Sequence, residues 1–417
     1  MPANNSLYQE VYQQIGVITA QTKVRVSLVK RLALLVTGIV AAQSVTVAKM
    51  ASELLSLRLS RATEAESIER TMGRILSDGR LEPKVWYLPA LRASIDWEQL
   101  LRGGKRVVLA VDESSKRDEV HLLRLGLPYW GHCLPLAWDI WEQNVPLPKE
   151  DGYWARIDAV LATVAKLLPP GLEVMVLADR AYDVPGFIDR LQALGWHWAV
   201  RYKANGSGCF RDYQGREGKL KVLIRQHVHA PGQRWKARGW VFKDAGWRKA
   251  SVVAFWAPGE DEPLVVISDL RPSWVLLKLY GVRFWMEPGF RSDKKLGWHW
   301  EDSQVRKLEH HRRLLLGMAW ASLLTLCLGR QEAKARLSRL QERRIRRRSG
   351  KPVVGQPRHA DQSLFTMGLR CSRDWLYGTA QRSVHWLLTE LDSVSWQQLW
   401  YQHQSHRYLY LLQTVRP

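Results

Sequence analysis

The sequence contains few cysteines, and these are far apart. No two of them form a CxxC pair, and the four lie at Cys133, Cys209, Cys327 and Cys371. Structural zinc sites and disulfide frameworks need cysteines at short or regular spacings. The pattern therefore indicates neither kind of site, and a reducing cytosol is the simplest setting.

Uninterrupted apolar runs long enough to cross a membrane are also missing. Residues 32–48 carry no charge, but polar side chains interrupt the run at Thr37, Gln43, Ser44 and Thr46. A second run, residues 314–329, is flanked by arginines. A membrane span needs about 20 predominantly apolar residues. We therefore predict that each run forms a helix buried in a protein core, and we expect no membrane partner.

Acidic residues are scarce relative to basic ones. The chain has 40 Asp and Glu against 62 Lys and Arg, which gives a formal net charge of +22. Such a surplus favours a polyanionic partner, because a basic surface attracts phosphates and binding releases counterions. Nucleic acid fits this charge better than an acidic small molecule. The length of 417 residues and the hydrophobic content of 46% predict two or three domains with a substantial core.

Two carboxylates follow strand-like apolar runs. Asp112 ends the run VVLAVD, and Asp179 ends the run VMVLAD. Strands that end in acids can deliver carboxylates to one edge of a sheet, where oxygen ligands hold a divalent metal. The two aspartates are therefore candidate metal ligands.

A third acid belongs to a regularly spaced set. Two, three and six residues separate Tyr280, Arg283, Glu287 and Lys294. Offsets of 3, 7 and 14 residues fall near one face of a helix with 3.6 residues per turn. One helix could therefore present a metal ligand together with phosphate contacts. Because proline disfavours helical geometry in the residue before it, Pro288 predicts that the helix kinks or begins at Glu287.

The set Y(2)R(3)E(6)K resembles the signature of the IS4 family of DDE transposases. Asp112 stands where that family has its first acid, and the segment LADRAYD around Asp179 is similar to the segment around the second. The resemblance covers about residues 100–330. It implies that the catalytic metal ligands are Asp112, Asp179 and Glu287. Glu301, Asp302 and Glu309 remain alternatives for the third acid.

The resemblance also implies the chemistry. The three acids would hold two Mg²⁺ ions, for which Mn²⁺ could substitute, while phosphate contacts would come from Tyr280, Arg283 and Lys294. The partners would be double-stranded DNA, both as inverted-repeat ends and as target, and a second copy of the chain in a homodimeric synaptic complex. A base flipped from the stack would need an aromatic platform, but nothing in the spacing selects one among Trp235, Trp240, Trp247 and Trp256.

The order of predicted elements indicates an α/β fold with a ribonuclease-H-like core. Three neighbouring strands, with a hairpin turn at residues 128–131, precede a helix at 153–168, a strand, a helix at 185–195 and a strand at 196–203. Between Asp179 and Glu287 lie 107 residues, and a β-rich insertion at about 207–270 accounts for them better than a long loop. The catalytic domain would thus span residues 100–330.

The flanking regions read as helical and basic. Residues 1–95 carry helix-forming segments, with arginines at Arg58, Arg61, Arg70, Arg74 and Arg80. They fit either a helical DNA-binding domain or an ordinary helical bundle. Residues 331–417 are predicted to form a basic linker and a C-terminal helical region, since the stretch 330–351 has ten basic residues and two acids.

The sequence as a whole predicts a transposase that cuts and joins DNA at the ends of an insertion sequence. Two alternatives stay open. One is a catalytically silent, repurposed DNA-binding regulator, and the other is a related metal-dependent nuclease.

Overall fold

A computed structural model describes residues 6–20, 24–100, 106–148, 152–203, 206–348, 363–378 and 383–389. Within these ranges the protein is a mixed α/β structure with one ten-stranded sheet. Of the predicted basic linker and C-terminal helical region, residues 349–362, 379–382 and 390–417 lie outside the described residues.

The N-terminal region is helical, as predicted. Its helices are α1 (Ser6–Thr19), α2 (Val26–Ala42), α3 (Val47–Ser56), α4 (Ala65–Leu76), α5 (Pro83–Trp86), α6 (Leu88–Ser94) and α7 (Trp97–Leu100). The five arginines of the α3–α4 region named above are all exposed. Arg80 pairs with the Asp78 carboxylate at 2.7 Å, and the exposure of the other four allows them to contact a polyanion.

Residues 32–48 do not form the single buried helix that we predicted. Helix α2 ends at Ala42, α3 begins at Val47, and the two axes differ by 94°. Gln43 ends α2 in the left-handed conformation with φ of 45°, which breaks the helical path. Much of α2 is nevertheless buried, as its apolar composition requires.

The core strands and helices follow the predicted order. They are β1 (Arg106–Lys116), β2 (Val120–Tyr129), β3 (His132–Glu142), α8 (Gly152–Leu167), β4 (Glu173–Ala178), α9 (Pro185–Ala193) and β5 (His197–Tyr202). β1 pairs antiparallel with β2 and parallel with β4. The predicted hairpin turn is made by Trp130 and Gly131, both with positive φ, as a two-residue turn between twisted strands requires.

The β-rich segment extends this sheet instead of forming a sheet of its own. Its elements are β6 (Cys209–Arg211), β7 (Glu217–Lys219), α10 (Leu220–His227), β8 (Arg234–Val241), β9 (Arg248–Phe255) and β10 (Leu264–Ser268). β10 pairs antiparallel with β5, and β9 pairs with β10. The order of strands in the sheet is β3-β2-β1-β4-β5-β10-β9-β8-β6-β7, so the strands of the insertion are hydrogen-bonded continuously to the core.

The signature residues lie on a helical path that departs from α-helical winding twice. Its parts are α11 (Trp274–Gly281), a 3₁₀ turn (Val282–Trp285), α12 (Met286–Arg291) and a π-helical turn (Ser292–Leu296). α12 begins one residue before Glu287, so Pro288 falls in its first turn. Amide groups there have no intrahelical acceptor, and a proline costs little. The predicted interruption thus occurs as a new helix start.

The long helix α13 (Leu308–Arg348) lies at the centre of the core and is followed by α14 (Leu364–Tyr377). α13 contacts α2, α4, α14 and β3. Its apolar part, Leu308–Arg336, is long enough to cross a membrane, but 94% of the most apolar window is buried in the protein. This matches the core helix predicted for residues 314–329.

Candidate active site

The two predicted aspartates lie side by side. β1 and β4 are parallel neighbours in which Val111 pairs with Ala178, and the next residue of each is Asp112 or Asp179. β4 ends at Ala178, whereas β1 continues to Lys116. Asp112 therefore lies within its strand, not at its end as predicted. Asp179, in contrast, directly follows the last residue of its strand, as predicted.

Arg283 joins the three predicted acids. Its Nη2 lies 2.9 Å from Asp112 Oδ2 and 3.6 Å from Asp179 Oδ2, and its Nη1 lies 3.8 Å from Glu287 Oε1. The guanidinium side chain is only 5% exposed. Three carboxylates that are distant in the sequence thus lie around the Arg283 guanidinium, beside the carboxyl end of β4. In this structure the guanidinium contacts these carboxylates.

The charges of this group affect one another strongly. Burial raises the pKa of Asp112, and the neighbouring Asp179 and Glu287 add to the rise, while Arg283 and the Glu113 amide oppose it. Burial would lower the pKa of Arg283, but the surrounding carboxylates raise it overall. The site is therefore a cluster of partly exposed acids around a buried guanidinium, whose positive charge offsets the repulsion between them.

No three His, Cys, Asp or Glu side chains of the described residues stand close enough together to form a metal-ligand set. The carboxylates surround the guanidinium instead. One observation nevertheless fits a cation ligand: Asp179 Oδ1 is buried and has no hydrogen-bond partner. A buried oxygen without a donor costs free energy unless a cation or donor reaches it.

Tyr280 occupies a different place from the one predicted. Its side chain is fully buried, and its hydroxyl donates a hydrogen bond of 3.0 Å to the carbonyl of Ala178. Phosphate contact by this hydroxyl therefore has no support in this geometry. The bond instead attaches α11 to the residue that precedes Asp179.

Lys294 is not part of the carboxylate cluster. Its Nζ lies 3.8 Å from Glu301 Oε1, and Lys295 reaches the same carboxylate at 3.7 Å. The π-helical turn changes the winding just before Lys294, so the single helical face expected from the spacing is lost.

The alternative third acids have other partners. Glu301 pairs with the two lysines, Asp302 lies 3.2 Å from His299, and Glu309 pairs with arginines of its own helix. Glu287 contacts Arg283, so the geometry favours it over these three.

Sequence reasoning missed a hydrogen-bonded cluster beneath the aspartates. The Glu113 carboxylate accepts from His121 Nε2 at 2.6 Å, from the Tyr182 hydroxyl at 2.9 Å and from the Tyr153 hydroxyl. Burial alone would raise the pKa of Glu113, but these hydrogen bonds lower it. The only signal in the sequence was the acid directly after Asp112, because no spacing connects the three donors.

A buried ion pair near the signature helix was also missed. Arg124 Nη2 on β2 lies 2.5 Å from Asp293 Oδ2, with both side chains 5% exposed. The Arg124 guanidinium also stacks over the Phe290 ring at 4.9 Å. Arg124 is itself the register partner of Asp112 on β2. The pair therefore fixes the π-helical turn against the strand next to that aspartate.

An acid cluster beside the carboxyl end of a central strand, here β4, is an arrangement suited to phosphoryl transfer with divalent cations. Residues 153–324 match the family model of the transposase DDE domain. The match covers less than half of the chain and includes Asp179, Arg283 and Glu287, whereas Asp112 lies before it. No curated protein matches the chain. The family match supports a transposase-type function.

Proposed function

We propose that this protein is a transposase that cleaves DNA at the ends of an insertion sequence and joins those ends to target DNA. The convergence of Asp112, Asp179 and Glu287 on Arg283 carries this proposal. Binding alone needs no cluster of acids beside phosphate. The match to a transposase DDE domain over residues 153–324 supports the same chemistry.

The oxygen donors fit divalent cations, preferentially Mg²⁺ with Mn²⁺ as a substitute. Asp112, Asp179 and Glu287 would hold them, and Asp179 Oδ1 has a free coordination position. When bound, such cations supply Lewis-acid stabilisation of the transferring phosphoryl group and lower the pKa of the attacking water.

The chain's own residues prepare this site. Tyr280 holds α11 against the end of β4, and Arg283 keeps the three carboxylates close while it compensates their charge. A planar guanidinium can also bind phosphate oxygens in a bidentate manner. We therefore assign Arg283 a phosphate-contact role once DNA enters, with Lys294 as a second cationic contact from the π-helical turn.

DNA binding would involve the surplus of positive charge. The exposed arginines of the α3–α4 region form a basic surface on the N-terminal helices, which we propose as a DNA-binding domain. The ribonuclease-H-like core would place the cut, and synapsis would bring two copies of the chain together. The resemblance supports that homodimer.

The decisive experiment incubates purified protein with labelled duplex carrying the element's inverted repeats and Mg²⁺. We expect cleavage by the wild type, and at least a 100-fold loss in the Asp112→Asn, Asp179→Asn and Glu287→Gln variants. Asp302→Asn is the matched control, because Asp302 is an exposed acid on a nearby turn that pairs with His299.

Cleavage that survives all three substitutions would refute the site. Tight binding of the repeats without cleavage by the wild type would instead support the regulator. Cleavage without joining to target DNA would support the nuclease.

A further inference from the structure

Glu113 is connected to the site through both its backbone amide and its side-chain carboxylate. Its backbone amide donates a hydrogen bond of 3.0 Å to Asp112 Oδ1. Because successive residues of a strand point to opposite faces, its side chain lies on the other face of the sheet from Asp112. There its carboxylate accepts the three hydrogen bonds described above.

One of these bonds reaches the segment that carries Asp179. Tyr182 ends the 3₁₀ turn Arg180–Tyr182, which begins directly after Asp179, and its amide donates to the Asp179 carbonyl at 3.0 Å. The Tyr182 side chain is 2% exposed and packs against the Phe187 ring at 4.8 Å. Its hydroxyl therefore has a fixed position at Glu113, and the turn that starts at Asp179 is fixed with it.

The other donors hold Glu113 in place from two further elements. His121 on β2 stacks on Trp141 at 4.4 Å, and Tyr153 at the start of α8 lies edge-on to the same tryptophan at 6.3 Å. Both of these donors lie on elements without a proposed metal ligand. The carboxylate thus has one bond toward the site and two bonds that anchor it.

We infer that Glu113 is a positioning residue that sets the separation of Asp112 and Asp179. It orients Asp112 through its backbone amide and Asp179 through the Tyr182 hydroxyl. Outer hydrogen bonds of this kind typically affect metal affinity by about 10- to 100-fold. The inference rests on the proposed function, since it concerns the same two ligands.

Three variants of the full-length protein separate positioning from simple stability. Tyr182→Phe removes the bond from the Asp179 turn, Tyr153→Phe removes the bond that the α8 tyrosine makes to the same Glu113 oxygen, and Glu113→Gln replaces the acceptor. Mn²⁺ binding is measured by titration calorimetry without DNA, together with the melting temperature and cleavage of repeat-bearing duplex.

We expect Tyr182→Phe and Glu113→Gln to weaken Mn²⁺ binding at least tenfold and to reduce cleavage. Tyr153→Phe should change Mn²⁺ affinity less than twofold, although it lowers the melting temperature to a similar degree. If the two tyrosine variants change Mn²⁺ affinity equally, or if Tyr182→Phe leaves it unchanged, the inference is wrong. If Glu113→Gln fails to melt cooperatively, the comparison of Mn²⁺ affinity between Tyr182→Phe and Tyr153→Phe alone tests the inference.

The proposed function fails in a different way. A wild-type protein that neither binds Mn²⁺ nor cleaves repeat-bearing DNA would refute the function, and the inference with it. If the wild type binds Mn²⁺ and cleaves the DNA, and the Tyr182→Phe variant does so equally well, only the role of Glu113 is refuted.

Discussion

Replacing Arg283 by methionine tests whether its guanidinium holds the acid cluster together. The side chain is 5% exposed, and its closest partner, Asp112, is 18% exposed. Removing one partner of a buried pair costs about 3–5 kcal/mol. We expect a loss of about 3 kcal/mol in the free energy of unfolding at pH 7, the lower end of that range, because Asp112 keeps some contact with water. Glu287 is 49% exposed and adds at most about 1 kcal/mol.

The loss should depend on pH in a defined direction. The folded-state pKa of Asp112 is already raised above its value of about 3.9 in an unfolded chain, and loss of the guanidinium raises it further. A raised carboxyl pKa means that ionisation favours unfolding. Its contribution to stability is fully present below the unfolded pKa and declines as the pH rises through the folded pKa. The Arg283→Met variant should therefore recover part of its stability between pH 7 and pH 5.

Urea denaturation in EDTA at both pH values measures this effect, with Arg291→Met as the control. Arg291 is an exposed cation of the same helix, so its loss should change stability by less than about 0.5 kcal/mol. Addition of millimolar Mn²⁺ should stabilise Arg283→Met more than the wild type, because the cation replaces the missing positive charge. Equal stability of variant and wild type at pH 7, or a loss that grows at pH 5, would refute the argument.

Two further substitutions test the supports of the signature helix. Tyr280→Phe leaves the Ala178 carbonyl without its donor and should cost about 1–3 kcal/mol in thermal or urea unfolding; an unchanged midpoint would show that the bond contributes nothing. Asp293→Asn leaves the Arg124 charge buried without a counter-ion and should cost about 3–5 kcal/mol. The exposed Asp302→Asn should cost less than about 0.5 kcal/mol in the same assay, and equal losses from the two changes would contradict the role of burial.

The two aspartates were predictable because each directly follows the apolar run that marks its strand. An apolar run that ends in an acid indicates a strand, and the strand order follows from the hairpin and the helical crossovers. The paired register of β1 and β4 then places Asp112 beside Asp179 without any further information. Only the continuation of β1 beyond Asp112 was missed, since Glu113 and its successors break the apolar run but still pair with β2.

The signature helix was less predictable because its geometry depends on winding. A constant 3.6 residues per turn would place Tyr280 and Lys294 near one face, but a 3₁₀ turn and a π-helical turn intervene. Tyrosine also suits both a phosphate contact and a protein core, so only the structure reveals the bond to Ala178. The donors of Glu113 come from three different elements, and no spacing in the sequence connects them.

The continuous ten-stranded sheet has a consequence for how the protein folds. β10, the last strand of the insertion, pairs with β5 before the chain enters α11, and Arg283 and Glu287 follow it. Val111 on β1 pairs with Ala178 on β4 across fewer residues than separate Arg283 from Asp112, which lie 171 positions apart. Pairings between distant segments form slowly, because the chain entropy of closing a long loop is lost before the contact forms. We therefore expect the two aspartates to meet early during folding and Glu287 to join them late. Such an order would leave the acid cluster incomplete in a partly folded chain.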